Sequence, residues 1–213
     1  MNHKRLILAR HAETNFNNEG RIQGQSFSSV LTPRGRCQAR LFWKFLLDKF
    51  GKFDSVFCSD LPRATGMLEE MHGAVSPPIA ISPMLREVGR GIFEGRAYSD
   101  PEWLEFCRKL DAGNDAAADY QGVESHQHAL ERGMGFLSGV ARRASCTRPL
   151  LIAHGELNKL LVAAFLGQDI LEFLANGRKN IAQPNCCINE LLWDGKNFSV
   201  GSFGVAVGGV QDA

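Results

Sequence analysis

No run of apolar residues in this sequence approaches the length of a membrane span, and no stretch is given over to charge of one sign. The first absence leaves no reason to expect a membrane partner. The second matters because Lys and Arg number 24 against 23 Asp and Glu, a net charge of +1, and are scattered along the chain. A basic patch is the footprint of a protein that binds a phosphate backbone, so nucleic acid is not an expected partner. The six cysteines contain no C-x-x-C pair, and Cys186 and Cys187 are adjacent, which suggests neither a zinc knuckle nor a disulfide scaffold. They read as reduced, mostly buried thiols of a cytoplasmic protein. The start, Met1 to Arg5, is basic, but the apolar run behind it is too short for a signal peptide. Gly89-x-Gly91 lacks the third glycine and the preceding strand of a dinucleotide fingerprint. Internal repeats, low-complexity tracts and composition breaks are also lacking, so residues 1–213 are expected to form a single domain around one core.

What is there is an alternation of short apolar runs and amphipathic stretches. Leu6 to Ala9, Asp54 to Cys58, Ile79 to Ile81 and Pro149 to Ala153 read as strands that end abruptly in polar residues, as buried parallel strands do. Thr32-Pro33 supplies an N-cap and a proline at the first helical position, and Leu41, Phe42, Phe45, Leu46 and Phe50 then recur at helical spacing. Further helices are expected from Leu61 to His72, Asp100 to Leu110, Ser125 to Ala144 and Glu156 to Phe165. Cys187 to Leu192 and Phe198 to Phe203 read as a hairpin turning at Asp194-Gly195. Strands alternating with helices imply βαβ units: an α/β fold, a three-layer α/β/α sandwich with a mostly parallel sheet. The segment from about 99 to 145 is expected to form a small helical cap, with a small-residue loop from Asp111 to Gly122. An exposed edge near the C-terminal hairpin could pair two chains as a homodimer.

Arg10-His11, Ser59-Asp60 with Arg63, and His154-Gly155 all follow strand ends. In open parallel sheets ligands bind outside the carboxyl ends of the strands, so these residues can converge. Two histidines and two arginines in one pocket suit a phosphate, whose oxygens match the forked donors of Arg. Each alone also has a plain structural reading: a strand-end His is often a partly buried polar group, and Arg63 could sit on a helix surface. His126-x-His128 lacks the acid or cysteine cluster of a metal site and reads as a polar helix face.

The local sequences carry a resemblance. Arg10-His11-Ala12-Glu13-Thr14 with Asn17, Leu31 to Ala39, Ser59 to Thr65, Leu85-Arg86-Glu87 with Gly91, Glu94 and Gly95, Gly122 to Ser125, and Ile152 to Gly155 resemble, in order, the boxes of the histidine phosphatase superfamily, also called the phosphoglycerate mutase-like family. The resemblance runs from about residue 6 to 192. It implies His11 as a nucleophile that becomes phosphohistidine, and Arg10, Arg63 and His154 as groups around the transferring phosphate. It implies Asn17 as a donor to the same phosphate and Glu87 as the general acid and base, although Glu13, Glu102 and Glu105 are also at hand. Gln23, Gly24 and Gly155 are candidates for substrate binding. Ala12 replaces the commoner Gly. Glu156 departs further, since an acid beside a phosphate would repel a dianion; pointing inward, it would favour a substrate carrying a cation.

The expected activity is a phosphomonoesterase of the histidine acid phosphatase type on a small-molecule phosphate ester, with no cofactor and no metal, because Arg and His supply the positive charge. The short middle segment disfavours a phosphoglycerate mutase, which stays as the alternative. A non-catalytic phosphate-binding protein is the third reading.

Overall fold

In the computed structural model, residues 3–71, 77–207 and 210 are described. In chain order the principal elements are β1 (Lys4–Arg10), α1 (Asn15–Asn18), α2 (Pro33–Phe50), β2 (Ser55–Ser59), α3 (Pro62–Glu69), β3 (Ile79–Ser82), α4 (Pro101–Asp111), α5 (His126–Arg142), β4 (Pro149–Ala153), α6 (Gly155–Phe165), β5 (Ile188–Trp193) and β6 (Phe198–Val205). The expected strands and helices are present to within a few residues at their ends. Of the helix expected from Leu61 to His72, the last residue lies outside the described residues.

The six strands form one sheet in the order β3-β2-β4-β1-β5-β6. The first four run parallel, and β5 and β6 close the sheet antiparallel. Alternation along β1 sends Ile7 and Ala9 to one face, under α2 and α3 with Phe42, Leu46 and Met67. Leu6 and Leu8 go to the other face, under α5 and α6 with Leu137, Val140, Leu157 and Leu161. This is the α/β/α sandwich.

Local chemistry explains the element ends. Thr32 Oγ1 accepts from Gly35 N at 2.9 Å and Pro33 opens the first turn of α2. Asp194 Oδ1 accepts from the backbone N of Lys196 and of Asn197, both at 2.7 Å, which folds the turn of the β5–β6 hairpin.

The stretch expected to form one cap, residues 99–145, divides between two places. Helix α5 lies on the sheet, because Leu137, Val140 and Ala141 complete the same apolar cluster as Leu6 and Leu8. Helix α4 instead builds a third cluster, in which Trp103, Phe106 and Leu110 meet Ile22, Val88, Phe93, Phe173, Leu174 and Ile181. The expected loop after α4 includes a short helical turn, Ala116–Asp119. The segment after α6 also turns helically, through Ile170–Glu172, Phe173–Gly177 and Arg178–Asn180. Among the described residues no helix is long and apolar enough to cross a membrane.

Candidate active site

Parallel pairing places the carboxyl ends of β1, β4 and β2 side by side, with Arg10 opposite Ala153 and Cys58 opposite Ile152. The residues that follow these strands therefore gather at one edge of the sheet. Beside them opens a cavity of about 500 Å³, a volume that suits a small ligand, lined by Arg10, His11, Gln23, Gly24, Glu87 and Gly155 among the residues singled out from the sequence.

His11 is 2% exposed. Its Nδ1 lies 2.7 Å from the carbonyl oxygen of Ala12. A carbonyl can only accept, so the ring proton sits on Nδ1 and Nε2 keeps its lone pair. Burial, reinforced by Arg63 and Arg10, holds the pKa of His11 well below the ordinary histidine value, and the ring is neutral at neutral pH. His154, whose ring centroid is 5.2 Å away, carries the opposite tautomer. Arg63 Nε donates to its Nδ1 at 3.2 Å, so the proton is on Nε2, which donates to Ser59 Oγ at 2.8 Å. Burial and then Arg63 depress its pKa as well.

Arg63 is wholly buried and stands behind the cavity wall rather than in it. Beyond its bond to His154 it donates to Gly24 O at 2.6 Å and to Ser26 O at 3.3 Å. Burial pushes its pKa down to about 10, which leaves it charged at neutral pH. Arg10 donates through Nη1 to Gln183 O. Its Nε is buried with no hydrogen-bond partner, while the side chain as a whole lines the cavity. Gly155 permits this placement, since a Cβ there would come within 3.3 Å of that Nε.

The other candidates separate. Gln23 lines the cavity and accepts from Ser29 Oγ at 2.8 Å. Asn17 does not line it; its Oδ1 accepts from Thr14 N at 3.1 Å and from Thr14 Oγ1 at 3.0 Å, closing the N-terminal cap of α1. His154 lies behind His11, both ring nitrogens engaged by protein groups. Among the acids weighed, Glu13 is held by Arg34 at 2.6 Å and Thr32 at 2.8 Å. Glu102 pairs with Arg96 and Glu105 with Arg108 on α4. Glu87 faces the cavity. Its Oε1 accepts from the backbone N of Val88 and of Leu157, each at 2.9 Å, and its Oε2 from Glu156 N at 3.0 Å. Glu87 thereby satisfies two orphan N–H groups of the first turn of α6, where His154 provides no side-chain cap.

Glu156 does line the cavity, but not as a free acid awaiting a cation. Its Oε1 is 3.0 Å from Arg178 Nε, 3.7 Å from His126 Nε2 and 3.9 Å from Arg90 Nη2, and its Oε2 is 3.5 Å from Lys159 Nζ. Burial opposes its charge, but His126, Lys159, Arg178 and Arg90 outweigh that and hold its pKa well below the usual carboxylate range. The expectation of a cation-bearing substrate is therefore corrected, because the protein's own cations already surround this acid. The H-x-H pair is not one polar face either. His126 is fully buried, its Nδ1 3.2 Å from Asp115 Oδ1, whereas His128 is exposed and meets Glu124 at 2.8 Å.

Arg90, Tyr98, Lys159, Arg178 and Lys179 also line the cavity and were not singled out from the sequence. Only Lys159 had a readable signal, standing one helical turn beyond Glu156 on α6.

A sheet of this topology, with a neutral and tautomer-fixed histidine beside arginine at its strand ends, defines an α/β protein with a cationic cavity at the carboxyl edge of its sheet. The family follows from comparison: residues 6–205 match the model of the Histidine phosphatase superfamily (branch 1), and the chain belongs to that superfamily. It is 32% identical over 188 residues to the protein named Probable phosphoglycerate mutase GpmB of Cronobacter sakazakii, covering 87% of this chain and 83% of that one. It is 28% identical over 184 residues to 2-carboxy-D-arabinitol-1-phosphatase of Triticum aestivum, covering 86% of this chain but 36% of the wheat protein, so it spans little more than a third of that relative. Among solved structures it superposes on Bacillus stearothermophilus YhfR with a TM-score of 0.80 at 26% identity, covering 95% of this chain and 97% of the other. The alpha-ribazole phosphatase from Shigella flexneri gives a TM-score of 0.77 at 25% identity, covering 96% and 98%.

Proposed function

We propose that this protein is a phosphomonoesterase of the acid phosphatase type that hydrolyses small phosphate esters through a phosphohistidine on His11. The observation that carries the reading is the 2.7 Å contact between His11 Nδ1 and Ala12 O, which leaves an unprotonated Nε2 at the wall of a cationic cavity. In the first step Nε2 attacks phosphorus in line, a P–N bond forms, the P–O bond to the alcohol breaks, and Glu87 passes a proton to the leaving oxygen. In the second step Glu87, now a carboxylate, takes a proton from water. The resulting hydroxide attacks phosphorus, the P–N bond breaks, and phosphate leaves a neutral His11. The Arg10 guanidinium, which lines the cavity, binds a non-bridging oxygen, while Arg63 and His154 act from behind the wall. Arg63 contributes its charge to the field and fixes the carbonyl of Gly24. Sequence identities of 30% and 32% to proteins named Probable phosphoglycerate mutase GpmB support a second reading, transfer of the phosphoryl group back to a bound phosphoglycerate, which depends on a bisphosphate primer.

The test is hydrolysis of p-nitrophenyl phosphate in EDTA by the parent chain and His11→Ala, with acid-labile phosphoenzyme trapped on quenching. The expected result is loss of activity by roughly 10³-fold or more and loss of the trapped species. Equal activity in both removes the nucleophile assignment. Activity only with a primed phoshoglycerate selects the second reading.

A further inference from the structure

Glu87, unlike His11 or Arg63, stands neither at the end of a sheet strand nor in a helix. Residues 86–89 form no regular structure, so their backbone groups have no ladder of their own to join. Side chains from elsewhere bind this stretch instead. Arg132, on α5, donates through Nη2 to Glu87 O and through Nη1 to Met84 O, each at 2.9 Å. Gln25 Nε2 donates to the same Glu87 oxygen at 3.0 Å. Glu124 grips Arg132 at two points: its Oε1 accepts from Nε at 2.8 Å and its Oε2 from Nη2 at 2.9 Å. That Oε2 also accepts from Gly89 N at 2.9 Å, so one carboxylate binds both the guanidinium and the chain two residues beyond Glu87.

The parts are pressed close together. Arg90 bridges Val123 antiparallel, and Glu124 N donates to Gly89 O at 3.0 Å. Gly91, at a φ of +50°, passes so near residues 121–123 that a Cβ on it would fall 2.3 Å from Gln121 O. Gly133 lets α5 approach α6, since a Cβ there would lie 3.1 Å from Leu157 Cδ1. Glu87 is thus held from two sides where these helices meet, its carbonyl by Arg132 of α5 and its carboxylate by Glu156 N and Leu157 N of α6. Neither Arg132 nor Glu124 lines the cavity beside His11, and their side chains are 8% and 11% exposed. An ion pair so shielded offsets its desolvation only through good geometry, and here the geometry converges on residues 84–89.

We propose that Arg132 and Glu124 are positioning residues for Glu87: together they set where its carboxyl stands relative to the leaving oxygen, and so act on proton transfer rather than on capture of the phosphoryl group. The proposal rests on the acid role proposed for Glu87.

The expected signature is a dependence on the leaving group. p-Nitrophenolate departs with little help from a proton, whereas the more basic phenolate of phenyl phosphate needs one. kcat/KM reports the steps through P–O cleavage, so the later activation of water, common to both esters, does not enter it. It is measured on both for the parent chain, Glu87→Gln, Arg132→Met and Glu124→Gln. The ratio of p-nitrophenyl to phenyl phosphate should rise about tenfold in Arg132→Met, the effect of a misplaced general acid, and by less in Glu124→Gln. A merely structural role would lower both rates alike and leave the ratio unchanged. Amide exchange of Glu156 and Leu157, followed by NMR, needs no turnover. It should accelerate in Arg132→Met as the Glu87 carboxylate leaves the start of α6, while the amides of β4 keep their parent rates. Glu124→Gln serves both readouts if Arg132→Met fails to fold. A ratio that rises in Glu87→Gln but in neither other variant, or unchanged exchange at the two amides, overturns the inference and leaves the phosphatase reading standing. If Glu87→Gln itself leaves the ratio unchanged, the acid assignment falls and this inference with it. A parent chain that hydrolyses neither ester sinks the phosphatase reading, and the exchange rates alone then decide whether Arg132 and Glu124 hold Glu87 in place.

Discussion

Gly24 sits at a φ of +46°, and a Cβ built on it would fall 2.3 Å from Glu94 Oε1. That carboxylate is not free to swing away, because the same oxygen accepts from Gln25 N at 2.7 Å and Arg90 N at 3.0 Å. Gly24→Ala is therefore expected to cost about 1–3 kcal/mol of stability, and in a chain of this size to lower Tm by several degrees. Because the Gly24 carbonyl holds Arg63, kcat/KM on p-nitrophenyl phosphate should fall with it; an unchanged Tm would mean that the loop relaxes at no cost. His11 makes a second prediction at this scale. Its pKa lies well below the ordinary value, so the proposed nucleophile stays unprotonated as pH falls through 6.5. After allowance for ionisation of the substrate phosphate, kcat/KM should persist into mildly acidic solution. An inflection near 6.5 that His11 itself produces, seen by NMR titration of its ring, would contradict the tautomer and field described here.

Helix α6 joins the cleavage chemistry to the architecture, because its first turn is capped by Glu87, a side chain from a distant loop. Removing that side chain acts twice. Glu87→Ala should lose catalysis and also about 1 kcal/mol of stability, as the loss of a helix cap does. Glu87→Gln keeps an oxygen for one of the N–H groups and should retain most of the stability while losing the proton transfer. Thermal melts together with p-nitrophenyl phosphate kinetics separate the two. Equal melting of both variants would show that the cap contributes nothing. No sequence rule links Glu87 to the start of α6, since the contact is made in space. The positions of Arg178 and Lys179 were hidden for a similar reason. They lie in a run of short turns that present no periodic apolar face, whereas α2, with its Thr32-Pro33 start and its phenylalanines at helical spacing, could be read directly.

Over the whole molecule, acid acts on folding through several groups at once. Burial holds His11 and His154 below the ordinary histidine value, so below about 6.5 the unfolded chain binds protons that the folded chain refuses. Depressed carboxylates add to this in the same direction: Asp60 through its bond to Arg86, and Glu156 through the cations around it. Stability is therefore complete above about 6.5, falls first through the histidines, and falls again as pH passes below the ordinary carboxylate range. Calorimetry at pH 8, 6 and 4.5 should give a steadily falling Tm; a flat profile would mean that these groups are accessible to protons in the folded state. The sandwich and its strand ends were legible because alternation and strand-end polarity are local signals. The division of residues 99–145 was not, since whether α5 or α4 covers the sheet depends on which apolar stripe finds a partner.

One arrangement at the sheet centre bears on how the protein comes into being on the ribosome. Strand β1 lies between β4 and β5, and the backbone around His11 is tied to the segment just before β5, distant in sequence: Cys186 N and Asn185 Nδ2 both donate to His11 O, and Arg10 N donates to Cys187 O. Strand β1 thus waits for β4 and β5, both far along the chain, before it has neighbours. A chain whose central contacts span so much sequence closes slowly. The proposed nucleophile takes its final position only once the segment around Cys186 has been made, so a polypeptide that stops short of that segment cannot hold His11 in place.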